Sequence, residues 1–217
     1  PVFASIQDDS LKLKNNYLRM IYYLSSFNFP VYLFLVLASE QILTFMYGEV
    51  FSSGYIVLSL LAVAYYAKSI SNPIGSLLIA KGRTDLSFKW AIIQTIMFSI
   101  TISLSSLISV EFVAFSIALL SYVLFLPQWK IAIVPCIKIN LSEYLNQFKK
   151  LHVIFILVSF ISILTSLAFF NHTNSVNFNL AKILTLLFLS FFTIYIFDRN
   201  RFYSIMEILK NIKKNKA

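Results

Sequence analysis

Residues 55–85 read YIVLSLLAVAYYAKSISNPIGSLLIAKGRTD, and this stretch decides the fold. From Tyr55 to Ala80 it is apolar for long enough to cross the hydrocarbon of a bilayer as a helix, which takes roughly 20 residues. It ends in a tight basic turn, Lys81-Gly82-Arg83-Thr84-Asp85, where Thr84 or Asp85 suits the N-cap of a following helix. Near the midpoint of the span stands Lys68, on the order of 18 Å from either surface at the helical rise. A lysine at that depth is unfavourable by about 2.5 to 3.5 kcal/mol, so it is expected to face a bundle interior or a watery cavity. Lys68, Ser71, Asn72 and Gly75 follow i, i+3, i+4, i+7 and share one helical face, which Tyr65 extends by a turn. Pro73 has no N–H and leaves the carbonyl of Ser69 without its helical donor. Such a break at membrane depth is tolerated where protein or water supplies partners. The residues alone leave three readings of Lys68: it faces a ligand, it is buried in an ion pair with a carboxylate, or it sits nearer the interface.

The same reading extends outward to about six spans, each long enough to cross. They are Met20–Met46, Tyr55–Ala80, Leu86–Ile108, Phe112–Val134, Leu151–Phe170 and Phe178–Phe197. None shows the period-two alternation of a membrane barrel strand. Basic residues fill alternate gaps. Lys12, Lys14 and Arg19 precede the first span, Lys81, Arg83 and Lys89 follow the second, and Lys130, near the end of the fourth, is followed by Lys138, Lys149 and Lys150. Arg199, Arg201, Lys210, Lys213, Lys214 and Lys216 end the chain, whereas the gap at Glu111 and the gap from Asn171 to Asn177 carry neither Lys nor Arg. Basic gaps are cytoplasmic by the positive-inside rule, so both termini are expected in the cytoplasm. Residues 1–19 read as a cytoplasmic loop, 20–197 as the six-helix transmembrane region and 198–217 as a basic amphipathic cytoplasmic tail. The expected fold class is an all-α membrane protein.

Composition agrees. Of 217 residues, 59% are hydrophobic and 12% charged, and the mean hydropathy is +0.79. A soluble domain carries about 25% charged residues. The formal net charge of +9 does not mark a nucleic-acid binder, because the cations sit at span ends, where anionic lipid headgroups are their partners. The single cysteine, Cys136, excludes an internal disulfide. His152 and His172, at opposite ends of the fifth span, lack metal partners at useful spacing. No paired carboxylates, nucleophile–base pair or phosphate loop appears, so the expectation is a non-enzyme with no catalytic residue, metal or cofactor. The N-terminus lacks the features of a signal peptide, and the chain is expected to be the C-terminal part of a longer protein.

Other polar positions are weaker signals. Glu40, near the outer end of the first span, is a candidate ion-pair partner for Lys68 or an interfacial carboxylate. Asn28 and Pro30 interrupt that span, and Pro30 is expected to break or kink it. Gln94, Thr101 and Ser105 share one face of the third span and Thr95, Ser99 and Ser106 another, a pattern that suits close helix packing. Asn140–Lys150 reads as an amphipathic surface helix with Leu141, Leu145 and Phe148 on one face and a capping-box start at Asn140 and Glu143. The stripe Phe202, Ile205, Met206, Leu209 and Ile212 gives the tail the same character.

Several motifs together resemble a known family. Pro1-Val2-Phe3-Ala4-Ser5-Ile6-Gln7-Asp8-Asp9, Tyr17-Leu18-Arg19 and Pro30 look like the central loop and following helix of Wzx-type O-antigen and exopolysaccharide flippases, of the MOP (MATE-like) superfamily. Ile42-Leu43-Thr44-Phe45-Met46-Tyr47-Gly48-Glu49 resembles that family's helix end, and Ser71 to Asp85 its Asn-Pro and Gly-Arg run. The resemblance covers roughly Pro1 to Leu151. It implies a two-lobe transporter whose C-terminal lobe this chain supplies. It also implies flipping of undecaprenyl-pyrophosphate-linked oligosaccharide across the bacterial inner membrane, by alternating access around a cationic cavity. The cavity candidates would be Lys68, Asn72, Ser71, Tyr65 and Gly75, with helix breaks at Pro30 and Pro73 and Lys68 on the pyrophosphate. Implied partners are that lipid, membrane lipids and a polysaccharide polymerase, with no nucleic acid. The alternatives are a MATE-like cation-coupled drug or lipid exporter and a non-catalytic membrane subunit of a polysaccharide assembly complex.

Overall fold

Asp9 starts the first helix. Its carboxylate accepts the backbone N–H of Lys12 at 3.0 Å and pairs with the Lys12 ammonium at 3.2 Å. These contacts hold the Asp9 carboxyl below its usual range, the backbone N–H first among them. Helix α1 therefore runs Ser10–Leu37 and begins well before the apolar span expected from Met20. The computed structural model describes residue 3, residues 9–168 (side chains to residue 160) and residues 192, 195, 196, 199 and 203.

α1 continues through Pro30 without interruption. Proline removes one donor, but the helical backbone carries on past it to Leu37. The break falls instead at Ala38, whose φ of −106° and ψ of 14° leave the helical region. A short α2, Ser39–Tyr47, follows. It stops at Gly48, where φ is +91°. That backbone favours glycine. A 3-10 turn, Glu49–Gly54, leads into α3, Tyr55–Ser71. The expected first span is thus two helices, interrupted at alanine rather than at proline.

α4, Pro73–Ala80, continues the line of α3. Pro73 sits at its start, and Asn72 between the two keeps right-handed helical angles of −53° and −38°. The break expected at Pro73 is therefore a gap in hydrogen bonding with helical backbone on both sides. α5 spans Thr84–Ser105 and α6 spans Val110–Val123. α7, Phe125–Gln128, passes into a π-helical turn, Trp129–Ile133. A π turn leaves room for a bulge in packing. α8, Leu141–Asn146, and α9, Lys149–Ala168, close the described chain.

Among the described residues, 4 helical segments are long and apolar enough to cross a membrane: Ser10–Leu37, Glu49–Ala80, Thr84–Ser105 and Val110–Ile133. The expected fifth span coincides with α9. The expected sixth span and the tail lie outside the described residues, apart from Phe192, Tyr195, Ile196, Arg199 and Tyr203. The described chain is an all-α membrane protein.

The core sits where α1, α3 and α9 meet. Tyr66 of α3 is fully buried against Phe155 of α9 at 4.2 Å between ring centroids. Phe29 of α1 closes the cluster at 6.0 Å from Phe155, and His152 stacks on Tyr66 at 4.7 Å. Tyr66 donates its hydroxyl to the Ser25 carbonyl at 3.3 Å, so the polar tip is satisfied inside the core. α8 carries the expected capping box, with the Asn140 N–H donating to Glu143 at 3.1 Å. Its apolar face, however, is turned into the protein: Tyr144 and, just past its end, Phe148 are buried in the core. Lys14 of α1 donates to both Glu143 oxygens, at 2.9 and 2.7 Å, and ties α8 to the start of α1. That contact holds the Glu143 carboxyl below its usual range.

Candidate functional site: a cationic cleft on α3, α4 and α5

The helical spacing of Tyr65, Lys68, Ser71, Asn72 and Gly75 survives folding because α3 and α4 keep one line through Asn72. All five line a single cleft of about 670 Å³. Their opposite wall is α5, which contributes Ser87, Trp90, Gln94, Thr95 and Phe98; Gln128 of α7 also reaches it. Lys68 is half-buried, and its ammonium lies 4.1 Å from the centroid of Phe98 and 5.1 Å from that of Tyr65. Ring faces attract a cation electrostatically and replace part of its lost hydration. Among the described residues no Asp or Glu lines the cleft.

The Glu40 reading differs. Glu40 stands at the start of α2, beside Tyr55 at the far end of α3, so roughly 20 Å of helix separates it from Lys68. Among the described residues no salt bridge joins Lys68 to a carboxylate. The reason is position along the helix. Glu40 follows the break at Ala38 and stands near the start of α3, while Lys68 lies in the last turn of α3. Pro30 is not part of the cleft either; it is buried inside α1.

Gln94 and Thr95, assigned from sequence to packing, instead face the cleft. Trp90, Phe98 and Gln128 were not legible as site residues. A signal existed for two of them: Trp90, Gln94 and Phe98 recur at i, i+4, i+8, one face of α5. Ser105 conforms to the packing expectation and returns its hydroxyl to the Thr101 carbonyl at 2.6 Å. His152 belongs to the aromatic core described above, and His172 lies outside the described residues.

Comparison with known proteins follows the same line. A family model described as a polysaccharide biosynthesis protein matches residues 1–55. The lipopolysaccharide biosynthesis protein WzxC of Escherichia coli (strain K12) is 42% identical over 98 residues, 45% of this chain and 20% of that protein. The teichuronic acid biosynthesis protein TuaB of Bacillus subtilis (strain 168) is 29% identical over 154 residues, 69% of this chain and 31% of that protein. An uncharacterized membrane protein in the cps region of Klebsiella pneumoniae is 33% identical over 98 residues, 45% of this chain and 20% of that protein. The matched part of the chain thus spans between 20% and 31% of the length of these relatives. No solved structure matches. Over part of its length the chain is thus similar to polysaccharide-biosynthesis proteins that include WzxC and TuaB, in line with the resemblance its motifs carry.

Proposed function

We propose that this chain forms the C-terminal lobe of a transporter that flips a lipid-linked oligosaccharide across the bacterial inner membrane, and that Lys68 holds the pyrophosphate of the lipid. One observation carries the reading. Within membrane-length helices, an ammonium and a set of neutral polar side chains converge on one cleft that, among the described residues, no carboxylate lines. An unpaired cation at membrane depth is unfavourable unless a partner compensates it, and the compensating cargo is therefore an anion. Lysine binds phosphate as a compact point charge with rotatable donors. Relatives named for lipopolysaccharide and teichuronic acid biosynthesis support a polyanionic or lipid-anchored glycan as the cargo class. Alternating access would expose the cleft first to the cytoplasmic side, which the basic gaps and the C-terminus face. A polysaccharide polymerase is the partner that would receive the flipped product.

The test is complementation with the full-length protein in cells that lack their own copy. Lys68→Ala is expected to insert at the parental level and to lower surface polysaccharide by about tenfold or more, the loss of one charge-assisted contact. Lys68→Arg keeps the charge and is expected to retain most of the output. Normal glycan from the alanine variant would overturn the assignment.

A further inference from the structure

The two walls of the cleft differ in chemistry. Lys68 is its sole charged residue among those described, and it meets Phe98. About 12 Å along α5 from Phe98, toward the turn that joins α4 to α5, lies Trp90. Trp90 is only 4% exposed, yet it lines the cleft. Its indole nitrogen is buried and has no hydrogen-bond partner among the described residues. The neighbouring tryptophan shows the contrast: Trp129 donates to the Ile139 carbonyl at 3.2 Å. A buried N–H without an acceptor is unfavourable, and a ligand oxygen placed there removes the penalty. Gln128, also 4% exposed, lines the same cleft, as does Gln94 one turn along α5 from Trp90. Across from them Gly75 leaves the wall flat, and a Cβ built there meets nothing within 4 Å.

We infer that Trp90, Gln94 and Gln128 form a neutral subsite for the sugar hydroxyl or acetamido groups next to the pyrophosphate. This rests on the reading of Lys68 as the phosphate anchor and assigns glycan recognition to different residues. The ammonium sets affinity for any lipid pyrophosphate, whereas the indole N–H and the two amides discriminate between sugars. Sites built to hydrogen-bond a substrate group reject analogues that lack it, because their own polar atoms are then left unpaired.

The test measures binding to purified full-length protein in lipid nanodiscs. One probe is farnesyl diphosphate; the others are the same lipid diphosphate carrying glucose, galactose or N-acetylglucosamine. The parent protein is expected to bind at least one conjugate more tightly than the bare lipid. Trp90→Phe and Gln94→Leu are expected to remove most of that preference, by up to about tenfold, and to leave the bare lipid unchanged. Gly75→Leu, whose side chain enters open space rather than packed atoms, is expected to weaken the conjugates more than the bare lipid. Lys68→Ala weakens every probe alike. If no conjugate outbinds the bare lipid, or if the Trp90, Gln94 and Gly75 variants lower all probes equally, the sugar subsite is wrong while the phosphate anchor stands. If bare lipid diphosphate does not bind, or binds Lys68→Ala as well as the parent, the anchor fails and the subsite argument falls with it.

Discussion

Tyr65 and Tyr66 are neighbours on α3 and belong to different worlds. Tyr66 is 0% exposed, held by Phe29, Phe155 and His152 at the junction of α1, α3 and α9. Tyr65 is 50% exposed and borders the cleft beside Lys68. Successive residues on a helix point about 100° apart, so one helix can serve a packed core on one side and a polar cleft on the other. Lipid tails are as apolar as the core side chains, so the core holds mainly through close packing rather than through exclusion from water. The cleft side gives up that packing and accepts a charge. The comparison teaches that α3 divides stability and binding between two faces.

The strongest way to break this division is on the core side. Phe155→Ala removes the ring that contacts both Tyr66 and Phe29 and is expected to cost about 3 to 5 kcal/mol. Denaturation of the purified protein in mixed micelles measures it. A loss as small as that of a surface site would show that the junction of α1, α3 and α9 is not the core. On the cleft side the sign should reverse. Lys68→Met removes a half-buried charge and is expected to raise stability, on the order of 1 kcal/mol in the same assay, while glycan export collapses. A destabilised Lys68→Met would mean that the ammonium has a structural partner and would erase the division.

Phe98→Leu sharpens the comparison within the cleft. It takes away the ring 4.1 Å from the ammonium and is expected to change stability or ligand binding by about 0.5 to 1 kcal/mol. A larger effect on binding than on stability assigns the ring to the site. The smallest effect belongs to the partly exposed ion pair of Lys14 and Glu143, which serves neither face of α3. Lys14 holds Glu143 below its ordinary value of 4.5, so the folded carboxyl has the lower pKa. The contact then contributes at pH above 4.5 and is lost as pH falls through the lowered folded value. Hydrogen exchange corrected for the intrinsic rate should report faster opening of α8 below that pH, and Lys14→Ala should weaken the pH dependence, leaving the part that comes from the Asn140 N–H.

Much of the fold was legible because it depends on local composition. Long apolar runs and basic turns located α3 with α4, α5 and α9, and the capping box at Asn140 and Glu143 formed as its spacing indicates. Boundaries controlled by single residues were harder to read. Asp9 extended α1 upstream of its apolar run, and the chain broke at Ala38 rather than at Pro30. Apolar periodicity describes the membrane-facing part of a helix and says little about a polar cap. A proline removes one hydrogen bond, while a break needs the backbone angles to change.

The site divides in the same manner. That Tyr65, Lys68, Ser71, Asn72 and Gly75 share a face is a property of helix geometry, and the amino-acid sequence by itself determined it. The sequence also determined that the chain is helical and membrane-spanning, since apolar length and charge placement act segment by segment. Which residues stand opposite Lys68 was decided only in three dimensions. Trp90, Gln94 and Phe98 could equally have faced lipid, and Glu40 could have been a partner, until the rotation and depth of each helix were set. Those two quantities come from the fit of side chains between helices distant in sequence, such as α1 and α9 against α3, and no local pattern encodes them.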